Sequence, residues 1–190
     1  MTDHTLTRIP QSIPHSIWPA DELRRAEKTA AESLGISLYE LMERAGKAAF
    51  DMARSAYPAA AHWLILCGHG NNGGDGYVVA RLAQAAGIRV TLMAQTVDKP
   101  LPEEAHTAYQ SWLASGGTIH QTDIPWPQDV DLIIDALLGT GLHNAPLENV
   151  AGVIEQANLF PAPIIALDIP SGLNAQTGTT PGAVIHAAYT

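Results

Sequence analysis

Three short stretches of this chain put polar groups and glycines where chemistry can be done. The first is Gly68-His69-Gly70-Asn71-Asn72-Gly73-Gly74-Asp75-Gly76. It contains G-x-G-x-x-G at Gly68, Gly70 and Gly73, the spacing that lets a backbone approach a dinucleotide pyrophosphate at a helix start. The second is Gly139-Thr140-Gly141, directly after an apolar run that holds Asp135. The third is Asp168-Ile169-Pro170-Ser171-Gly172. A carboxylate at a strand end beside a glycine loop is placed for general acid/base work, and Asp168 is our candidate. The alternative for Asp168 is an Asx-turn that ends the strand.

Each motif also has a plainer reading. Glycines at 68–76 can mark a tight turn at positive φ. Asp75 can open a helix, because carboxylates suit the first turn. Asp135 must be hydrogen-bonded or bound to a cation if its strand is buried. No Lys or Arg follows Lys99. Ser171 lacks a G-x-S-x-G elbow, which argues against serine hydrolysis. His69 and His143 lie near the loops, and no H-x-x-x-H or C-x-x-C metal motif occurs. Two features depart from a dehydrogenase loop: the paired amides of Asn71 and Asn72, and the lack of a ribose-binding acid at the next strand end near Gln95, where Asp98 is the nearby substitute.

The elements that must position these stretches follow from hydrophobic period. Residues 1–19 read as an extended arm broken by Pro10, Pro14 and Pro19. Asp21–Leu34 reads as a helix stopped by Gly35. Ser37 and Glu40 form a capping box for a second helix ending before Pro58. Strands are predicted at 63–67, 88–94, 118–121, 131–138 and 163–168, with a further one starting at Val184-Ile185. Helices are predicted from about Asp75 to Ala86, over 103–115 and over 147–158. This alternation predicts an α/β, Rossmann-like three-layer sandwich: a mostly parallel central sheet, helices on both faces, and N-terminal helices added.

Bulk properties limit the function classes. The chain has 190 residues, one ordinary domain in size. Its formal net charge of −9 disfavours nucleic acid and anionic membrane as partners. Only 15% of residues are charged, against roughly 25% on average, as suits a buried sheet. One cysteine, Cys67, excludes an intrachain disulfide, and no segment resembles a signal peptide or membrane span. A cytoplasmic setting is expected.

Together the motifs resemble a known family. Asn71 to Gly76, Asp135-Ala136-Leu137-Leu138-Gly139-Thr140-Gly141 and Asp168 to Gly172, with Leu41-Met42-Glu43-Arg44-Ala45-Gly46, are similar to motifs of the NAD(P)H-hydrate epimerases, the YjeF N-terminal domain family. The likeness runs from about Ile17 to Thr190 and is similar to the N-terminal half of bifunctional bacterial repair enzymes of that family. It implies an isomerase that interconverts the R and S forms of hydrated NADH and NADPH, in repair of the nicotinamide cofactor. It implies substrate contacts from Asn71, Asn72, Gly73, Gly74, Asp75, Gly139, Thr140, Gly141, Leu142, His143, Asn144, Ala145 and Asp168, with Asp168 catalytic. It further implies a bound potassium ion (K+) held by Asn72, Asp135 and Ser171, a dehydratase as pathway partner, and a homodimer. By the same resemblance, residues 1–190 form a single domain whose sheet would continue past Thr190 with a further strand and a Lys-containing loop. The competing readings are a non-catalytic nucleotide- or protein-binding module and an NAD(P)-dependent oxidoreductase.

Overall fold

A computed structural model describes residues 19–95 and 98–190. The arm expected at 1–19 lies almost wholly outside the described residues. Two helices open the described chain, α1 (Ala20–Leu34) and α2 (Leu38–Ala56). Then follow β1 (His62–Cys67), α3 (Asn71–Ala85), β2 (Arg89–Ala94), α4 (Glu103–Ala114), β3 (His120–Gln121), β4 (Leu132–Ala136), α5 (Glu148–Leu159) and β5 (Ile164–Ala166).

The capping box predicted for α2 is present. The Ser37 hydroxyl accepts from Glu40 N at 3.1 Å, and Glu40 accepts from Ser37 N at 2.7 Å. Gly35, at φ 66°, ends α1 as expected, where a side chain would be strained.

The strands form one five-stranded sheet in the order β3-β2-β1-β4-β5, and every pairing is parallel. Alternate residues face opposite layers. Trp63, Ile65, Leu132 and Ile134 pack with α2, α3 and α4. Leu64, Leu66 and Ile133 pack with Val150, Val153 and Ile154 of α5. This is the expected three-layer sandwich. The chain runs outward from β1 in one direction and then crosses to β4 on the other side. The crevice between β1 and β4, at their carboxyl ends, is therefore the topological switch point where such sheets bind ligands.

Three boundaries differ from the sequence reading. Helix α3 starts at Asn71, not near Asp75, so the glycine-rich motif lies inside its first turns. None of these glycines has a positive φ. Gly68, Gly73, Gly74 and Gly76 are needed for close packing instead. A Cβ on Gly68 would stand 1.7 Å from Leu137 O, and one on Gly73 would stand 2.1 Å from Gly68 O. A Cβ on Gly76 would lie 2.7 Å from both the Ala136 methyl and Cys67 Sγ. Contact with the sheet overrides the poor helix propensity of glycine. Strand β4 stops at Ala136 because Leu137 N turns back onto Asp135 Oδ1 at 3.2 Å.

The third difference concerns Val184-Ile185, which does not start a strand. Ile185 N donates to Ser171 O at 2.8 Å, away from the ladder. The chain reaches the edge of β5 only later, where Tyr189 bridges Ile165 in parallel.

The packing at Gly68 has a direct consequence. Gly68→Ala should destabilise the fold by about 3 kcal/mol, at the upper end for overpacking, which lowers Tm by roughly 6–12 °C in a chain of this size. Nothing lies within 4 Å of a Cβ on Gly70, so Gly70→Ala should cost under about 1 kcal/mol. Thermal melts of the two variants check the contrast.

Candidate active site

Asp135 sits at the fourth position of β4, on the face turned toward α5, and is wholly buried. Desolvation of its carboxylate is offset by hydrogen bonds from neutral donors. Ser171 gives it two, from N to Oδ2 at 2.8 Å and from the hydroxyl to Oδ1 at 2.6 Å. Leu137 N gives a third, to Oδ1. Burial pushes the carboxyl up to about 6, and the bonds from Ser171 and Leu137 hold it from rising further.

Ser171 is buried as well and accepts from Leu138 N at 2.8 Å. Leu138 O is shared, receiving Asn72 Nδ2 at 2.9 Å and lying 3.1 Å from the Ser171 hydroxyl. Asn72, Asp135 and Ser171 are thus joined through one another and through the Leu138 peptide. The buried Asn72 Oδ1 has no hydrogen-bond partner among the described residues. Among the described residues, no group of three or more His, Cys, Asp or Glu could hold a metal ion. The oxygens of this network are of another kind, being amide, hydroxyl, carboxylate and peptide carbonyl.

Asp168 follows β5 at φ 64°, in the left-handed region that non-glycine residues rarely adopt. It is the one described non-glycine residue with positive φ. Its Oδ2 accepts from Thr140 N at 2.8 Å. The Asx-turn alternative fails, because the residue two positions on is Pro170, which has no N–H to give. The carboxylate instead reaches across to the loop after β4. Gly139 makes room for it, since a Cβ there would meet Asp168 Oδ2 at 2.5 Å. Backbone strain of this kind is concentrated at functional sites.

These segments line a cavity of about 940 Å³, at the upper end of the range for ligand sites. Asn71, Asn72, Asp75, Gly139, Thr140, Gly141, Leu142, Ala145 and Asp168 reach it, as does His69. Gly73 and Gly74 are buried behind its wall, and Gly74 packs on Met42 of α2. His143 lines a smaller adjoining cavity, while Asn144 lines neither. The His69 ring is within 3.0 Å of Pro100 O.

Asp75 does not open its helix. It is the fifth residue of α3 and is half-buried in the cavity wall. Burial, then the charge of Asp168, then that of Glu27 push it up to about 7. Asp75, holding its proton to about pH 7, and the exposed Asp168 therefore border one cavity.

The sequence reading missed one wall. Ala20, Leu23, Arg24 and Glu27 of α1 face the cavity, together with Met52 of α2 and Leu147 before α5. The one signal in the sequence is weak: α1 buries almost nothing, only Ala31, yet carries an apolar residue at Leu23.

Residues 38–190 match the family described as YjeF-related protein N-terminus. The whole chain is 65% identical to the bifunctional NAD(P)H-hydrate repair enzyme Nnr of Escherichia coli K12, covering 37% of that protein. It is 49% identical to the bifunctional NAD(P)H-hydrate repair enzyme of Leishmania braziliensis, over 97% of this chain and 34% of that one. The chain thus spans about a third of the length of these bifunctional relatives. The NAD(P)H-hydrate epimerase of Bordetella pertussis strain CS is 41% identical over 87% of this chain and 72% of its own length. Among solved structures, yeast ynu0, YNL200c superposes with a TM-score of 0.76 at 21% identity, over 91% of this chain and 78% of that one, a likeness of fold.

The position of Asp75 sets a pH dependence. Folded, it holds its proton up to about pH 7, against about 3.8 when free of its surroundings. Its stabilising contribution is therefore complete below about pH 4 and lost as pH rises through about 7. Asp75→Asn keeps the neutral form at all pH. Its Tm should gain on the parent chain as pH goes from 4 to 8, and a constant difference over that range would refute the assignment.

Proposed function

The chain belongs to the YjeF-related protein N-terminus family, and we propose that it interconverts the R and S forms of hydrated NADH and NADPH. The observation that carries this reading is Asp168, strained backbone and all, held on Thr140 N over a dinucleotide-sized cavity at the switch point of the sheet.

The chemistry asked of the site is modest. The hydrated ring carbon bears both a hydroxyl and the ring nitrogen. Its configuration is lost when the hydroxyl leaves as water to give an iminium, and water returning on the other face gives the epimer. Opening of the C–N bond to an aldehyde, followed by reclosure, has the same outcome. Either route requires a proton to be moved at that hydroxyl. Asp168 is the base and acid for it. Asp75, about half-protonated near neutral pH, supplies a second proton-carrying group in the same cavity. The free N–H groups at the start of α3, which has no side-chain cap, suit the pyrophosphate.

A potassium ion fits the oxygens beside this site. The support is the buried Oδ1 of Asn72, without a partner among the described residues, in a side chain joined through Leu138 O to the hydroxyl of Ser171 and through that to the carboxylate of Asp135. All are hard donors, as an alkali cation prefers. Bound there, the ion would supply fixed positive charge near the substrate and give Asn72 Oδ1 its missing partner. Asn72 stands in the first turn of α3 and also borders the cavity, so it links ion and substrate.

In this reading, a dehydratase specific for one epimer consumes the product. The pairing fits relatives that are named bifunctional repair enzymes. A low net content of cysteine, Cys67 alone, is compatible with work in the cytoplasm.

Purified S-form hydrated NADH, incubated with the chain and followed by chromatography, should convert to the R form faster than it does spontaneously. Potassium should increase the rate. Asp168→Asn should lower kcat by about 100-fold or more. A folded Asp168→Asn that epimerises at the parent rate would remove Asp168 from the mechanism. Asn72→Ala should raise the potassium concentration needed for half-maximal activity.

A further inference from the structure

We infer that Arg24 of α1 binds a phosphate group of the substrate and so makes α1 part of the substrate site, an inference that rests on the dinucleotide reading of the cavity. Helix α1 lies outside the stretch that matches the family, which begins at residue 38. Nothing in the family motifs assigns it a role.

The main cavity is bordered by the carboxylates of Glu27, Asp75 and Asp168. Arg24 is the one Lys or Arg among its lining residues. A dinucleotide brings a pyrophosphate, and its phosphorylated form brings a further phosphate monoester. Those anions are repelled by the carboxylates, and a cation in the same cavity offsets that repulsion beyond what the N–H groups of α3 supply.

Position comes next. Arg24 also lines a second cavity, of about 270 Å³, with Thr140, Leu142, His143, Gln176 and Asp21, whose carboxylate is paired with Arg25. Ala20, Arg24, Thr140 and Leu142 border both cavities, so Arg24 stands where the two meet. Its guanidinium lies beside the loop after β4, with Nη1 3.9 Å from where a Cβ on Gly141 would be.

The side chain is also available. Arg24 Nε is turned back on Ala20 O at 3.3 Å, which steadies the stem within the helix and leaves the terminal nitrogens without a hydrogen-bond partner among the described residues. Arg24 takes part in none of the ion pairs among the described residues, whereas its neighbour Arg25 is paired with Asp21 at 3.0 Å. An unpaired guanidinium offers the two-pronged geometry that phosphate oxygens match. With His143 and Gln176 behind it, the smaller cavity is polar enough to take the group that Arg24 holds.

Two phosphates could be the one bound, the pyrophosphate common to both substrates or the 2′-phosphate that only hydrated NADPH carries. The test uses Arg24→Gln and Arg24→Lys in the full chain, with Arg25→Gln as control. Calorimetry with ADP-ribose and with 2′-phospho-ADP-ribose reads binding without any turnover. Kinetics with both hydrated dinucleotides read KM and kcat separately. Arg24→Gln should weaken binding and raise KM about tenfold, with kcat within about twofold of the parent. Arg24→Lys should restore part of the loss, and Arg25→Gln should change neither.

A loss confined to the 2′-phosphorylated ligands identifies the 2′-phosphate, and equal losses identify the pyrophosphate. Unchanged affinity in a folded Arg24→Gln overturns the inference, as does a parent chain that binds neither probe, or an effect on kcat alone. Probe binding that depends on Arg24 in a chain that does not epimerise would uphold Arg24 and refute the epimerase reading instead.

Discussion

The buried pairing of Asp135 with Ser171 is the contact on which the site depends. A carboxylate enclosed in a parallel sheet is tolerable only when its oxygens are hydrogen-bonded. Here the donors come from two separate segments, the turn after β4 and the loop after β5. Satisfying one acid therefore fixes two strand ends to each other. Ser171 carries the restraint further by accepting from Leu138 N, and Leu138 O carries it to Asn72 at the start of α3. The three segments that border the cavity are held by one connected polar network. Loss of either partner would leave a buried charge or hydroxyl without its bonds, which is why such networks act as units.

The glycines make that connection possible. Helix α3 enters so close to the sheet that its first turn touches the end of β1, and its second turn touches Ala136 and Cys67. Any side chain at Gly73 or Gly76 would push the helix off the sheet and carry Asn72 away from Leu138. The same closeness aims the free N–H groups of the helix start at the cavity. In the proposed function, phosphate recognition and strand-end packing are thus one geometric requirement met by the same residues.

Electrostatics divides the labour within the cavity. Asp168 lies exposed at a strained backbone position and is oriented by Thr140 N. Asp75, on the helix, is half-buried and feels the charges of Asp168 and Glu27, so its proton is held to about pH 7. The surroundings thus set the protonation of Asp75 through burial and the neighbouring charges. Glu27 and Arg24 both come from α1, so that a helix contributing almost nothing to the core still shapes the field of the site.

By itself the sequence determined the layered α/β architecture, because strand and helix periods alternate plainly and β1 and β4 are mostly apolar runs, with Asp135 as the exception in β4. It also located Asp135, Asp168, Ser171 and the Asn71-Asn72 pair, since polar residues at the ends of buried strands have few structural reasons to be there. Tertiary structure decided the rest. It alone set the start of α3, where packing against the sheet outweighed the helix-breaking tendency of Gly73 and Gly74. It alone showed that Asp168 bonds across to Thr140 rather than closing its own turn, and that Ile185 turns in to Ser171 rather than starting a strand. The role of α1 as a wall was likewise invisible in the sequence, because Arg24 and Glu27 have the pattern of any solvated helix face until a cavity is folded against them.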